Sequence, residues 1–351
     1  MSSSAGRPDG RTGDFGKQPG AAAVGGPWGL VRRRLADVIS QVAALGALLV
    51  IFVLLSLLSP NFLTYNNLSE VVVEAAVTAI IAIGMTLVIV TAGIDLSVGG
   101  GIAALAGVLG AMLMVDAHLS WPLATVVGVL IGGAAGLVNG GLVGWVKLAP
   151  FIATLGMMGV ARGLTFVSTG AVAVYGLPVG FNVLGQGYAG PIPIPAICLI
   201  GVIVIFGFIF TRTKLGRYSY AIGSNHEAAR LMGIPASRYL VLVYVLQGLL
   251  AGFGGMIAAS RVSSGQPNFG VGLELDAIAA AVIGGASLFG GQGTVSGAII
   301  GAFLIQFIRN GSVLLNVNIY WQDVIIGLVV WIAVSWDQFR RQRITERAHV
   351  T

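Results

Sequence analysis

Apolar stretches of bilayer length recur from one end of this chain to the other, and that recurrence limits the possible folds more than any other feature. A hydrocarbon core about 30 Å thick takes roughly 20 apolar residues per helix. The first such run extends from about Ile39 to Leu58. Further runs lie at 71–91, 97–115, 122–146, 151–169, 192–211, 239–259, 277–289, 294–309 and 320–336. With 56% of residues apolar and only 9% charged, no soluble core could bury them all. Outer-membrane barrel strands alternate apolar and polar residues; these runs are continuously apolar, so helices are expected. The expected fold is an all-α integral membrane protein of about ten transmembrane helices, some of them broken. The run at 277–289 is short and ends in Gly290-Gly291-Gln292-Gly293, which suggests a discontinuous or re-entrant helix held inside the bundle.

The net charge of +6 resembles a nucleic-acid signal until its placement is examined. Six basic residues precede the first run (Arg7, Arg11, Lys17 and Arg32–Arg34), and Lys147 follows the fourth. Arg212, Lys214, Arg217, Arg230 and Arg238 fall between the sixth and seventh, and Arg340, Arg341, Arg343 and Arg347 follow the last. Only Arg162, Arg261 and Arg309 escape this one-sided sorting. Basic residues concentrate in cytoplasmic loops, so both termini are expected in the cytoplasm and no nucleic-acid partner is implied. Residues 1–35 read as a disordered cytoplasmic tail, 36–338 as the membrane domain with a cytoplasmic loop at 211–238, and 339–351 as a cytoplasmic C-terminal tail. The first run spans a bilayer and lacks a small-residue cleavage site, so it reads as a retained helix and not a signal peptide.

Several constellations favour packing over chemistry. Gly128, Gly132, Gly136, Gly140 and Gly144 recur every four residues on one helical stripe, a face for close helix–helix contact and a candidate dimer interface. Cys198 stands alone in an apolar run. His118, His226 and His349 show no metal-ligand spacing, so no metal site is expected. Ionisable and polar groups in membrane segments are functional candidates. Glu74 would lie near the outer end of the second span. Asp95 and Ser97 lie in the break after it, where a hinge or cap role is favoured, and Asn139, Thr154, Gly284 and Gly285 complete the translocation and hinge candidates. Arg162, within the fifth span, would pair with an acid or reach up to the interface. Arg261, Glu274 and Asp276 flank an outer loop, with Arg261 and Glu274 as candidate contacts for an extracytoplasmic protein. The Gly-rich breaks at 93–99 and 284–291 suggest a weak internal repeat of the kind from which transporter folds are built.

The most informative segment lies in the loop at 211–238. Ser224 and Glu227 have capping-box spacing, Gly233 suits the left-handed position past a helix end, and Pro235 prevents continuation. A short helix of about two turns is expected, capped at Ser224 and including Asn225, with Ala228, Leu231 and Met232 on one face and Ala229 as a small shoulder beside it. A partner's groove would explain that face; a helix lying on the bilayer or on its own bundle would explain it as well.

Glu227-Ala228-Ala229 followed by Gly233 resembles the EAA-x-x-x-G pattern of the coupling helix in permeases of ATP-binding-cassette (ABC) importers. Thr91–Gly99, Pro150–Met158, Gly216–Gly223 and Glu274–Gly285 resemble, in order, segments of the ribose/xylose/galactoside branch of monosaccharide permeases, and the likeness covers about residues 40–340. Ala92 and Gly100 depart from an expected Gly and Ser, and Ser224 stands where Gly is usual. The resemblance implies import of a monosaccharide or related polyol across the bacterial plasma membrane, with Ser224–Gly233 as the helix that receives the motor's motion. It also implies an ABC ATPase subunit, an extracytoplasmic sugar-binding protein and a second permease copy as partners. Lys17, Lys147 and Lys214 are the only lysines and none sits in a phosphate-binding loop, so ATP and Mg belong on the partner ATPase and this chain binds no cofactor and is no enzyme. A branched-chain amino acid or nucleoside permease, or an ion-coupled secondary transporter, are the alternatives.

Overall fold

The computed structural model describes residues 27–318, 320–329, 331, 332, 335 and 338, with side chains from Gln41 onward. Helices account for most of it. Among the described residues, eight are long and apolar enough to cross a membrane. They lie in α1 (Pro27–Leu58), α2 (Tyr65–Val90), a π-helical turn (Val98–Ala103) continuing as α3 (Ala104–Val115), α4 (Trp121–Gly144) and α5 (Pro150–Thr169). After a short crossover of a 3-10 turn (Val179–Asn182), α6 (Val183–Gln186) and the hairpin β1 (Tyr188–Ala189) with β2 (Ile192–Pro193) comes α7 (Ile194–Arg212). Then follow α8 (Lys214–Ser224), α9 (His226–Leu231), α10 (Ala236–Arg261), α11 (Leu273–Ile283) and α12 (Val295–Leu314).

The expected span at 277–289 is half a span. Its helix, α11, is only 11 residues long, about 16 Å at 1.5 Å per residue. It stops because Gly285 enters the left-handed region (φ +97°), with Gly285 N–H and Ala286 N–H donating back to Val282 and Ala281 carbonyls. The tenth expected span is helical at every described position from 320 to 338. Helix α1 starts earlier than the sequence suggested, at Pro27, so residues 27–35 of the expected tail are helical; proline at the first helical position is pre-set for this start. The rest of that tail, and the tail at 339–351, lie outside the described residues.

Helix α2 forms the axis of the bundle. Ile80, Ile81, Ile83, Met85, Leu87 and Ile89 are fully buried on all sides of it, as expected of a helix apolar all round. It packs on α7, α10, α11 and α12, with α1 outside α12 and α3 and α4 beyond α10. The glycine stripe of α4 has its partner within the chain: Gly132 approaches Gly252, Gly140 approaches Val241 and Gly144 approaches Ser237 on α10, backbone to backbone. The stripe is therefore an internal seam and not a dimer interface. By contrast α5 and α7 turn much of their surface outward.

Candidate functional site: the α8–α9 elbow and the broken helices

Helix α9 is short and sharply delimited. Asn225 takes the extended conformation an N-cap requires (φ −162°, ψ 101°), and its Oδ1 accepts from Ala228 N–H at 2.9 Å. The expected capping box between Ser224 and Glu227 does not form, because Ser224 is still the last helical residue of α8. Glu227 instead accepts from Arg230, whose Nε lies 3.1 Å from both carboxylate oxygens. That hydrogen bond, with the guanidinium charge, holds the Glu227 carboxyl below the usual carboxylate range. Gly233 ends the helix at φ +77°, and Ile234 N–H donates to the Ala229 carbonyl at 3.0 Å. Ala229 points inward and is buried. Ala228 is exposed, and Leu231 and Met232 stand 76% and 82% exposed, an apolar tip with none of the described residues over it.

The elbow leading to α9 rests directly on both chain breaks. Gly291 N–H donates to the Val90 carbonyl at the end of α2 at 2.9 Å, and the Tyr220 hydroxyl of α8 donates to the Gly293 carbonyl at 2.6 Å. Gly223 fills the remaining space: a Cβ there would come within 2.8 Å of Gly291 N. The breaks at 91–97 and 284–294, far apart in sequence, thus meet at one point beneath α8. Ala92 sits in this junction at φ +61°, a conformation that favours glycine, so the departure at this position leaves a strained residue at the hinge.

From that junction the chain passes into a buried polar group. Asp95 is fully buried and forms an Asx-turn, accepting from Ser97 N–H at 2.9 Å and from Ser97 Oγ. Asn139 on α4 donates to Ser97 Oγ at 2.9 Å, and Leu96 N–H donates to Thr154 Oγ1 on α5 at 3.2 Å. Asp95, Ser97, Asn139 and Thr154, four of the translocation and hinge candidates, are thus brought together; the turn they fix starts the π-helical segment of α3. Gly284 lies elsewhere, packed on the backbone of Gly297 where α12 begins, and Gly285 supplies the α11 terminus.

Glu74 belongs to a separate group at the opposite end. It accepts from Arg261 at 2.6 Å and from the Gln306 amide, while Arg261 also pairs with Glu70. The group therefore joins α2, α10 and α12 through Glu74, and Gln186 of α6 donates to the Arg261 carbonyl at 2.8 Å. Glu274 is likewise occupied by backbone: Gly100 N–H and Gly272 N–H each donate to one of its oxygens at 3.2 Å. Asp276 pairs with Arg309 at 2.9 Å. Arg162 has no acidic partner among the described residues; its guanidinium lies 5.9 Å from the Phe166 ring centre.

Residues that sequence reasoning passed over include Tyr244 and Gln247, fully buried in α10, and Glu70. Signals were present for each: two polar side chains three apart inside an apolar run, and an acid one turn before Glu74.

This fold, with a short capped helix braced against two broken membrane helices, defines a multi-pass membrane permease. Residues 67–334 match the family described as branched-chain amino acid transport system / permease component, and the chain belongs to that family. The ribose import permease protein of Escherichia coli K12 is 42% identical over 295 residues, covering 83% of this chain and 91% of that protein. The D-allose transport system permease protein of the same organism is 40% identical over 293 residues (83% and 89%). The L-arabinose ABC transporter permease protein of Azospirillum brasilense is 39% identical over 323 residues, 92% of each chain. No solved structure matches the chain.

Proposed function

We propose that this chain is the membrane-spanning subunit of an ATP-driven importer that carries a monosaccharide or related polyol into the bacterial cytoplasm by alternating access. The family description names branched-chain amino acids, but relatives covering more than four-fifths of this chain carry names specific to ribose, allose and arabinose. That similarity favours a sugar. In this reading α9 faces the cytoplasm, where a separate ABC ATPase docks on Leu231 and Met232. A second permease copy completes the membrane unit, and an extracytoplasmic sugar-binding protein delivers substrate to the opposite end.

One observation carries the mechanism: the elbow before α9 touches both breaks at once, through Gly223, Tyr220 and Gly291. Displacing α9 moves the end of α2 and the Gly291–Gly293 end of the 284–294 segment together. Ser97 then passes the displacement to α4 through Asn139, and Leu96 passes it to α5 through Thr154. A capped, rigid α9 suits this role because a helix that frayed under load would absorb the motion.

The test is sugar uptake into proteoliposomes holding the permease, its cognate ATPase and binding protein. Wild type is expected to accumulate sugar only with ATP, and Glu227→Ala combined with Gly233→Pro to abolish that accumulation. Uptake driven by a proton or sodium gradient without ATP would overturn the proposal.

A further inference from the structure

Hydrogen bonds of fixed direction surround the turn at the first break. Ser97 has one hydroxyl proton, and it goes to Asp95 Oδ1. Ser97 Oγ is therefore the acceptor for Asn139 Nδ2, 2.9 Å away. That orients the Asn139 amide, with its nitrogen on Ser97 and its Oδ1 released. Asp95 Oδ1 also accepts from Ser97 N–H. The two remaining oxygens, Asp95 Oδ2 and Asn139 Oδ1, are buried and have no hydrogen-bond partner among the described residues.

A third oxygen arrives from α10. The Tyr244 side chain starts beside α4, where a Cβ on Gly140 would lie 3.2 Å from the Tyr244 Cβ. It ends at the break, where a Cβ on Gly93 would lie 2.7 Å from the Tyr244 hydroxyl oxygen. The ring thus spans from the neighbour of Asn139 to a residue two positions before Asp95, close enough for the carboxylate charge to act on the phenol. Glycine at 93 makes the room for that hydroxyl, which is buried and likewise without a partner among the described residues.

Three oxygens and one negative charge are closed in together, since Asp95, Asn139 and Tyr244 are all fully buried. No basic side chain among the described residues pairs with Asp95. A carboxylate in this setting needs a counter-charge. A proton on Oδ2 would remove the charge and satisfy at most one of the other two oxygens. A water would bridge the three and leave the charge unpaired. A metal cation answers both needs, because every free atom is a hard oxygen with lone pairs to give. A single carboxylate balances one positive charge, whereas a divalent ion would leave a net charge buried.

We propose that Asp95 Oδ2, Asn139 Oδ1 and the Tyr244 hydroxyl oxygen hold one alkali-metal cation, Na+ or K+, inside each copy of the chain. Asp95 Oδ2 has two lone pairs, one for the ion and one for the phenolic proton. The ion pins the turn on which the first break pivots. It is a resident counter-ion and not cargo, so the inference is independent of the importer reading and of the solute.

Thermal unfolding of the purified full-length protein in detergent tests the site. Midpoints are compared at one pH and one ionic strength in NaCl, in KCl and in N-methyl-D-glucamine chloride, whose bulky cation cannot enter. Wild type is expected to unfold at least about 3 °C higher in one of the alkali salts, as a ligand bound only by the folded chain requires. Asp95→Asn keeps the turn-forming Oδ1 without the charge. It should lose that difference and, in the glucamine salt, be no less stable than wild type, because no unpaired carboxylate is buried. Tyr244→Phe removes one ligand and should move the effect to about tenfold higher alkali concentration. Equal wild-type midpoints in the three salts, or the same salt difference in Asp95→Asn, would overturn the site. Should Asp95→Asn fail to fold, Tyr244→Phe decides, and an unchanged salt dependence there overturns it. A midpoint that follows pH and ignores the salt would assign a proton to Asp95 in place of the ion.

Discussion

The seam between α4 and α10 is a place where one added methyl should do measurable damage. At Gly140 a Cβ would lie 2.7 Å from the Val241 Cα, 2.9 Å from its carbonyl oxygen and 3.2 Å from the Tyr244 Cβ. Carbon atoms rest at about 3.5–4.0 Å, so the helices must part by about 0.8 Å or more at Gly140→Ala. Backbone atoms on both sides leave no flexible side chain to yield. Overpacking of this kind costs about 1–3 kcal/mol. The shift also reaches the neighbouring residue. Asn139 donates to Ser97 Oγ at 2.9 Å, and a displacement of that size would stretch the bond to about 3.7 Å, beyond a hydrogen bond.

Stability and transport should therefore fall together. The measurement is equilibrium unfolding in SDS mixed micelles, paired with ATP-driven uptake, for Gly140→Ala and for Gly207→Ala on α7. Gly207 has nothing within 4 Å of its would-be Cβ, so alanine there should be neutral or gain up to about 1 kcal/mol from helix propensity. If the two variants unfold alike and transport alike, the seam does not hold the Asp95–Ser97–Asn139 turn in place and the reasoning fails.

At the α9 cap, Asn225→Ala should destabilise the helix by about 1 kcal/mol and reduce ATP-coupled uptake, while Ser224→Ala should leave uptake near wild type; the reverse order would restore the capping box. Leu231→Asp should abolish co-purification of the ATPase with the permease yet leave thermal stability of the isolated permease unchanged, since Leu231 touches no core. Gly223→Ala should leave the ATPase docked and active but uncoupled from uptake, because its Cβ would force Gly291 away from Val90; ATPase and uptake assayed on one preparation decide it. The carboxyl of Glu227 is depressed, so its pairing with Arg230 is present above the ordinary glutamate range and lost only as pH falls through the lower folded value. ATPase affinity for the permease should hold down to about pH 5, and a loss of affinity in Glu227→Gln at neutral pH would show that the charge is what matters.

The helices were legible because each lies in one unbroken apolar run, and the lipid leaves the backbone no other way to satisfy its hydrogen bonds. The α4 stripe was legible as a packing face, whereas its partner was not: Gly140 and Val241 are a hundred positions apart, and any small-residue face would have suited a second copy equally. The cap was misplaced by one residue because Ser224 and Asn225 are both good capping types, and only the length of α8 decides between them. Glu74 was read as a translocation candidate and Arg261 as a contact for an extracytoplasmic protein, since nothing local shows that α2 and α10 bring them to 2.6 Å. The meeting of the two Gly-rich breaks under Gly223 is a property of three elements at once. The sequence showed their flexibility but not their common support.

That difference between local and assembled information sorts the charges of the membrane domain. Glu74 with Arg261, and Asp276 with Arg309, are neutralised between helices of the same protomer; pairs of this kind cross-link helices and exact little cost once formed. Asp95 is neutralised by no cation among the described residues but is held in a tight turn, which makes it a fixed point around which the break can pivot. Glu274 is held by the Gly100 and Gly272 N–H groups, whereas Arg162 has neither device among the described residues and is exposed on α5. An exposed guanidinium in hydrocarbon is costly unless it is covered or its long side chain reaches the interface. The lever at α9 reaches this same helix through Leu96, whose N–H donates to Thr154 of α5, so a displacement at the junction of the two breaks is carried to the helix that bears the exposed charge.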